Sequence, residues 1–373
     1  MIFYNLRIWQ MSNELLQILW KAKETSPNYI SKNWEIKDNF NIAICWATWA
    51  VWQEMIMCLE KIWIPVNQLK LLASWHSAGK KIDTAFGGLI VEELRKESFE
   101  WVDFALFSAG SDISKSFAKY AINSWSIVID NSSAFRYIDE VPLVVPEINS
   151  NVIGDSRLIA NPNCTTAIAA VVLYPIHKKY KILKLIMSTY QATSWAWAKG
   201  MEELLTATKW YFSWIRDFKD FFVHPIAFNL IPHIDSFQEN WYTKEEMKVS
   251  WETQKIFWDD SLKISCTAVR VPILRAHSES ITIETQEDID IEDLKNLLKN
   301  SEWVELVDNL EKKEYPMPFT STWKFDVEVW RIRESLIFWK KWVDLFVSWD
   351  QLLRWAASNA VLIMKAIIDN FSK

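Results

Sequence analysis

The chain has 373 residues, 41 Lys and Arg against 47 Asp and Glu for a formal charge of −6, and half of its residues are hydrophobic. That length exceeds what one core usually serves, so two domains of ordinary size are expected. The mild acidity without a long basic run argues against a nucleic-acid partner, and no apolar stretch reaches the ~18 residues that span a bilayer.

Residues 1 to 37 read as a mixed polar and aromatic extension, with no basic region followed by a clean apolar core; a cytoplasmic protein is expected. From Asp38 the sequence alternates apolar strands with helical patterns. Asn41–Cys45 is followed by a helix over Ala50–Lys61, then come LKLLA, VDFALFSA, a helix over Ser114–Asn123, SIVIDN and PLVVP. This is the βαβ rhythm of a parallel sheet. Asn161-Pro162-Asn163 then opens a helix through Tyr180, and the pattern changes to longer strands, KLIMSTYQAT, SCTAVRVPIL and SITIET, with helices between them. Asp350 to Phe371 reads as one helical pattern that packs back on the first domain. The expected organisation is an extension (1–37), a dinucleotide-binding domain (38–163, completed by 350–373) and an α+β domain (164–349). Cys45, Cys58, Cys164 and Cys266 show no C-x-x-C spacing, so neither a disulfide frame nor a metal site is expected.

The composition carries an anomaly. Glycine normally makes up about 7% of a chain, yet there are 6 Gly here and 24 Trp. In Cys45-Trp46-Ala47-Thr48-Trp49-Ala50-Val51-Trp52 three indoles lie between a strand and a helix, where a phosphate-binding turn needs residues without Cβ. Trp195, Trp197, Trp342 and Trp355 occupy turn or helix-packing positions of the same kind. UGA codons that mean glycine but are translated as tryptophan account for both counts; a Trp-rich, non-catalytic binding protein is the alternative.

With those letters read as Gly, residues 46 to 52 become a dinucleotide fingerprint. Further on come Ser77-Ala78-Gly79-Lys80, LFSAGS (106–111), DNSSAFR (130–136), VPLVVPEIN, NPNCTT (161–166), STYQATS (188–194), VRVPILRAHSE (269–279), RIRESL and SNAVLI, in that order. The ordered set resembles the aspartate-semialdehyde dehydrogenases from about Asp38 to the C-terminus. The resemblance implies a Rossmann-type dinucleotide-binding domain plus an α+β catalytic and dimerisation domain, as in glyceraldehyde-3-phosphate dehydrogenase. It also implies a homodimer or homotetramer and NADPH-dependent reduction of L-aspartyl-4-phosphate to L-aspartate-4-semialdehyde, in lysine, threonine and methionine biosynthesis. N-acetyl-γ-glutamyl-phosphate reductase, with the same fold and chemistry, is the nearest rival.

Asn163 can cap the following helix and set the Cys164 sulfur over its first turn, where the helix dipole favours thiolate. By resemblance Cys164 is the nucleophile, His277 the acid/base and Gln191 the residue orienting the carbonyl. Arg270 would hold the substrate α-carboxylate with its planar fork, Glu245 its amino group, and Lys248, Arg136 and Asn163 the phosphate. For the cofactor the resemblance implies Trp46, Thr48, Trp49, Ala50, Val51 and Trp52 around the pyrophosphate, and Ser74, His76 and Ser77 toward a 2′-phosphate. Ser108, Ala109, Gly110, Ser111, Asn131, Ser194, Trp195 and Asn359 would lie toward the nicotinamide. His76 stands where the family commonly has arginine, so NADP is favoured over NAD by a smaller margin.

Overall fold

The computed structural model describes Gln17 and residues 37–45, 49–337 and 339–371. The rest of the 1–37 extension, Trp46 and Thr48 lie outside the described residues. The chain divides into two compact units, Met1–Pro162 with Ala356–Lys373, and Asn163–Trp355.

In the first unit β1 (Phe40–Cys45) leads to α1 (Trp49–Lys61) and β2 (Val66–Ala73), followed by β3 (Lys81–Thr84) and β4 (Gly87–Glu93). Next come β5 (Phe104–Phe107), α2 (Ser111–Asn123), β6 (Ile127–Asp130) and β7 (Leu158–Ala160). Among the described residues they form a sheet in the order β3-β4-β2-β1-β5-β6-β7. All neighbours run parallel except the β3–β4 hairpin. Central strands covered on both faces need continuous apolar runs, and β5 and β6 are buried at every position. The chain leaves β1 toward β2 on one side and, later, β5 toward β6 on the other. The order therefore reverses between β1 and β5, the place in an open α/β sheet where a nucleotide binds beyond the strands' carboxyl ends. PLVVP, read as a strand, forms only an isolated bridge, Leu143 to Ala160, because Pro142 and Pro146 flank it and remove ladder donors.

The second unit contains α3 (Cys164–Tyr180), β8 (Ile182–Gln191), α4 (Trp197–Phe212), α5 (Lys244–Phe257), β9 (Lys263–Arg270) and β10 (His277–Thr285). It continues with α6 (Ile291–Lys299), β11 (Val304–Leu306), β12 (Val327–Ser335) and β13 (Trp339–Trp349). The sheet order is β11-β12-β13-β10-β8-β9, mostly antiparallel but with β8 parallel to β9 and β11 to β12. The final helical pattern is interrupted: Leu352–Asn359 winds as a π-helix before α7 (Ala360–Phe371). Residues up to Trp355 belong to the second unit, where the Asp350 carboxylate accepts from Arg275 Nε at 2.6 Å and Gln351 donates to Ser194 Oγ at 2.5 Å.

Below the mouth of this second sheet lies a buried acid. Glu279 is two residues beyond His277 on β10 and opposite Thr189 of β8. It is fully buried, and neither carboxyl oxygen has a hydrogen-bond partner among the described residues. Burial raises its pKa well above the carboxylate range, because an unpaired buried charge is costly and the proton stays on. The unfolded chain releases that proton at ordinary carboxylate pH, so the folded state loses stability as pH rises from there toward its own pKa. Glu279→Gln, which cannot ionise, should melt with a shallower alkaline decline, the gap to the parent widening from pH 6 to 9; parallel melting curves across that range would contradict a protonated Glu279.

Candidate active site

The chemistry of the second unit is built around the start of α3. Cys164 is its first residue and is buried. Asn163, the N-cap, accepts from Thr165 N at 3.0 Å and Thr166 N at 3.4 Å, satisfying two of the donors that a helix start leaves open. Asn163 is itself held twice: its amide nitrogen donates to Glu252 Oε2 at 2.5 Å and its Nδ2 to Glu245 Oε1 at 3.0 Å. The sulfur lies 3.9 Å from Thr165 Oγ1 and within electrostatic reach of Arg270.

Glu245 and Lys248 come from the first turns of α5, whose start is a capping box. Thr243 Oγ1 accepts from Glu246 N, and Glu246 Oε2 receives Thr243 N–H at 2.7 Å. Glu246 Oε1 also takes Ala268 N–H at 2.9 Å, tying α5 to β9. Glu245 Oε1 accepts from Asn163 and from Gln191 Nε2 at 3.1 Å, while Oε2 accepts from Lys248 Nζ at 2.8 Å. Burial alone would raise the Glu245 pKa, but the Lys248 charge and the three donors outweigh it and bring it to about 2. Lys248 reaches Asp235 Oδ2 as well, at 2.8 Å. Burial works against its charge, yet the two carboxylates hold its pKa above the ordinary lysine range.

Arg270 and His277 meet at one peptide unit. Arg270, last in β9, donates from Nη1 to the Ala192 carbonyl at 2.7 Å; burial lowers its pKa to about 10, which leaves it charged at neutral pH. The Ala192 N–H donates to His277 Nδ1 at 3.0 Å. Since Nδ1 is an acceptor, the neutral ring carries its proton on Nε2, and that atom is buried with no partner among the described residues. Burial first, and the Arg270 charge second, push the His277 pKa down to about 3. In the free protein the ring is thus a neutral Nε2–H donor. Ala276, just before it, is held at φ 70°, a left-handed conformation that costs an alanine roughly 1–2 kcal/mol.

The structure thus gathers Cys164, Asn163, Gln191, Glu245, Lys248, Arg270 and His277 within one unit. Asp235 and Glu252 join them unannounced by the sequence. Glu252 could have been found, because 245, 248 and 252 share one helical face; Asp235 sits on a loop without periodicity. Ser194 is buried and taken up by Gln351, and Trp195 lies in the 3-10 turn Thr193–Ala196.

The remaining expected residues belong to the first unit. Trp49, Ala50, Val51 and Trp52 open α1, immediately beyond β1 at the topological switch. Ser108, Ala109, Gly110 and Ser111 follow β5 on the other side of it, with Ser108 N donating to the Cys45 carbonyl at 3.1 Å. Two helix starts flanking a switch point offer the positive ends and backbone donors that a pyrophosphate needs, so with glycine in place of Trp46, Trp49 and Trp52 this sheet fits a dinucleotide. Ser74, His76 and Ser77 lie in the turn after β2, with the exposed His76 stacked on Trp75. Asn131 and Asn359 are buried in a network instead of presenting free amides. Asn131 Nδ2 donates to the Ala356 carbonyl at 2.6 Å, and Asn359 Nδ2 to Asn161 Oδ1 at 2.5 Å and the Val144 carbonyl at 3.1 Å. Arg136 is buried and donates to the Asn131 carbonyl at 2.7 Å. No cluster suited to a metal ion occurs among the described residues.

A parallel nucleotide sheet in one unit and a buried thiol with polar partners in the other define a nicotinamide-dinucleotide oxidoreductase. Family models agree: "Semialdehyde dehydrogenase, NAD binding domain" matches residues 41–156, and "Semialdehyde dehydrogenase, dimerisation domain" matches residues 173–354. The chain is 42% identical over 334 residues to the aspartate-semialdehyde dehydrogenase of Aquifex aeolicus, covering 88% of this chain and 98% of that one. It is 43% identical over 336 residues to that of Bacillus subtilis, covering 88% and 97%. A crystal structure of aspartate semialdehyde dehydrogenase II from Vibrio cholerae, complexed with ASA, superposes with a TM-score of 0.86 at 37% identity over 90% of this chain and 99% of that one. The chain belongs to the aspartate-semialdehyde dehydrogenase family.

A ring nitrogen that stays neutral is measurable. Nitrogen-15 shifts of the His277 imidazole should show one Nε2–H tautomer, with no protonation between pH 8 and 5; a titration centred near pH 6 would contradict the Ala192-anchored ring.

Proposed function

We propose that the protein catalyses the reversible, NADPH-dependent conversion of L-aspartyl-4-phosphate to L-aspartate-4-semialdehyde and phosphate, with Cys164 as nucleophile, in the biosynthesis of lysine, threonine and methionine. The observation that carries the reading is Cys164 at the capped start of α3, inside a buried frame that holds the carboxylates of Glu245 and Glu252, the guanidinium of Arg270 and the neutral imidazole donor of His277. The Vibrio cholerae relative complexed with ASA supports the substrate, and the dimerisation-domain match supports assembly as a homodimer or homotetramer.

In the biosynthetic direction the Cys164 thiolate attacks the acyl carbon. The S–C bond forms, the C–O bond to phosphorus breaks, and phosphate leaves with the electron pair, giving a thioester. A nicotinamide dinucleotide, when bound, would supply the hydride that reduces the thioester. The resulting oxyanion re-forms its carbonyl and expels the thiolate, releasing the aldehyde. His277 donates an Nε2–H hydrogen bond to the oxygen on which charge develops, and because its Nδ1 is already engaged it does so without changing protonation state. Gln191, fixed by Glu245, orients the same carbonyl.

Arg270 pairs with the substrate α-carboxylate, and the anionic Glu245 receives the α-ammonium. Lys248 and Asn163 hold the phosphate. Ser74, His76 and Ser77 favour the 2′-phosphate of NADP over NAD, with less charge than an arginine at position 76 would bring.

Cys164→Ala should lower kcat by at least three orders of magnitude, as removal of a covalent nucleophile does, while dinucleotide affinity changes less than about twofold. Activity above about a hundredth of the parent would remove Cys164 from this role.

A further inference from the structure

Fourteen non-glycine residues among those described have positive φ, and eight of them are tryptophan: 63, 101, 125, 214, 241, 258, 303 and 323. Bulky side chains almost never adopt this conformation, since Cβ then crowds the following carbonyl. Three of these tryptophans stand at the same structural position. After α1, Trp63 (φ 60°) donates its N–H to the Glu60 carbonyl and Ile64 donates to Leu59. After α2, Trp125 (φ 70°) donates to Ile122 and Ser126 to Ala121; after α4, Trp214 (φ 68°) donates to Tyr211 and Ile215 to Trp210. Each pair of bonds is a Schellman motif with tryptophan at the left-handed residue beyond the helix end, where glycine is the residue of choice. Trp258 likewise closes α5 in the left-handed region, at φ 51°.

At four of the eight, burial offsets little of the strain. Trp63, Trp101, Trp214 and Trp241 are 81 to 89% exposed, so their indoles forfeit the burial that usually justifies this side chain. They are spread over helix ends and turns of both units. Three of the six glycines in the sequence fill the same conformational slot, Gly79 at φ 84°, Gly87 at 97° and Gly154 at 47°.

We infer that the protein made in its source carries glycine at these eight positions, each tryptophan being a UGA codon that the source reads as glycine. None of these eight tryptophans is a residue proposed for catalysis or binding.

The test has two arms. Peptide mass spectrometry of the protein purified from its source should read glycine at positions 63, 125 and 214, with UGA in the matching codons; tryptophan in those peptides, or UGG in the gene, overturns the inference. In the recombinant chain, Trp63→Gly, Trp125→Gly and Trp214→Gly are compared singly with Trp→Ala at the same sites, which removes the indole but keeps Cβ. Each glycine variant should melt about 2–4 °C above its alanine counterpart, the shift expected for relief of one left-handed residue. Equal melting of the paired variants would overturn the claim that these backbones require glycine.

Discussion

The carboxylate of Glu245 is the constraint on which the catalytic unit depends. It is fully buried and receives donors from three elements: Asn163 at the start of α3, Gln191 at the end of β8 and Lys248 one turn along α5. Losing one partner of a buried ion pair typically costs about 3–5 kcal/mol, because the other charge is left uncompensated. At Glu245 the loss would also release the cap that positions Cys164 and the amide of Gln191. The same anion that orders the frame is the proposed receiver of the substrate ammonium, so geometry and recognition draw on one group.

A second constraint is the peptide unit at Ala192. Its carbonyl fixes the Arg270 guanidinium and its N–H fixes the His277 ring, so one strand end sets both the cation that faces the thiol and the donor proposed for the carbonyl oxygen. Arg270 also helps to keep the ring neutral. A histidine in this setting acts through where its N–H points, while a thiol at a helix start beside a guanidinium draws on the helix dipole and that charge.

The parallel sheet was legible because its central strands are unbroken apolar runs separated by helical periodicity. The β3–β4 hairpin was not, since Lys81–Thr84 and Gly87–Glu93 are short, charged and glycine-bearing, and their pairing is set by the neighbouring β2. Cys164 and His277 could be found because their motifs are local. The protonation state of His277 could not, because it is decided by a backbone N–H 85 positions away. Asp235 escaped for a similar reason: its hold on Lys248 arises from a loop held at φ 69°. Asn131 and Asn359 were legible as polar positions, but only the fold reveals that their amides are spent on Ala356, Asn161 and Val144.

Covalent chemistry at Cys164 is tested by running the reaction backward with the acceptor withheld. Aspartate semialdehyde and NADP, mixed with the enzyme in phosphate-free buffer, should give one equivalent of NADPH per active site and then stall, because the thioester has no phosphate to attack it. Digestion at that stage should place an aspartyl adduct on the peptide containing Cys164, and adding phosphate should discharge it and restore turnover. Continuous NADPH formation without phosphate and with no adduct on Cys164 would contradict the account.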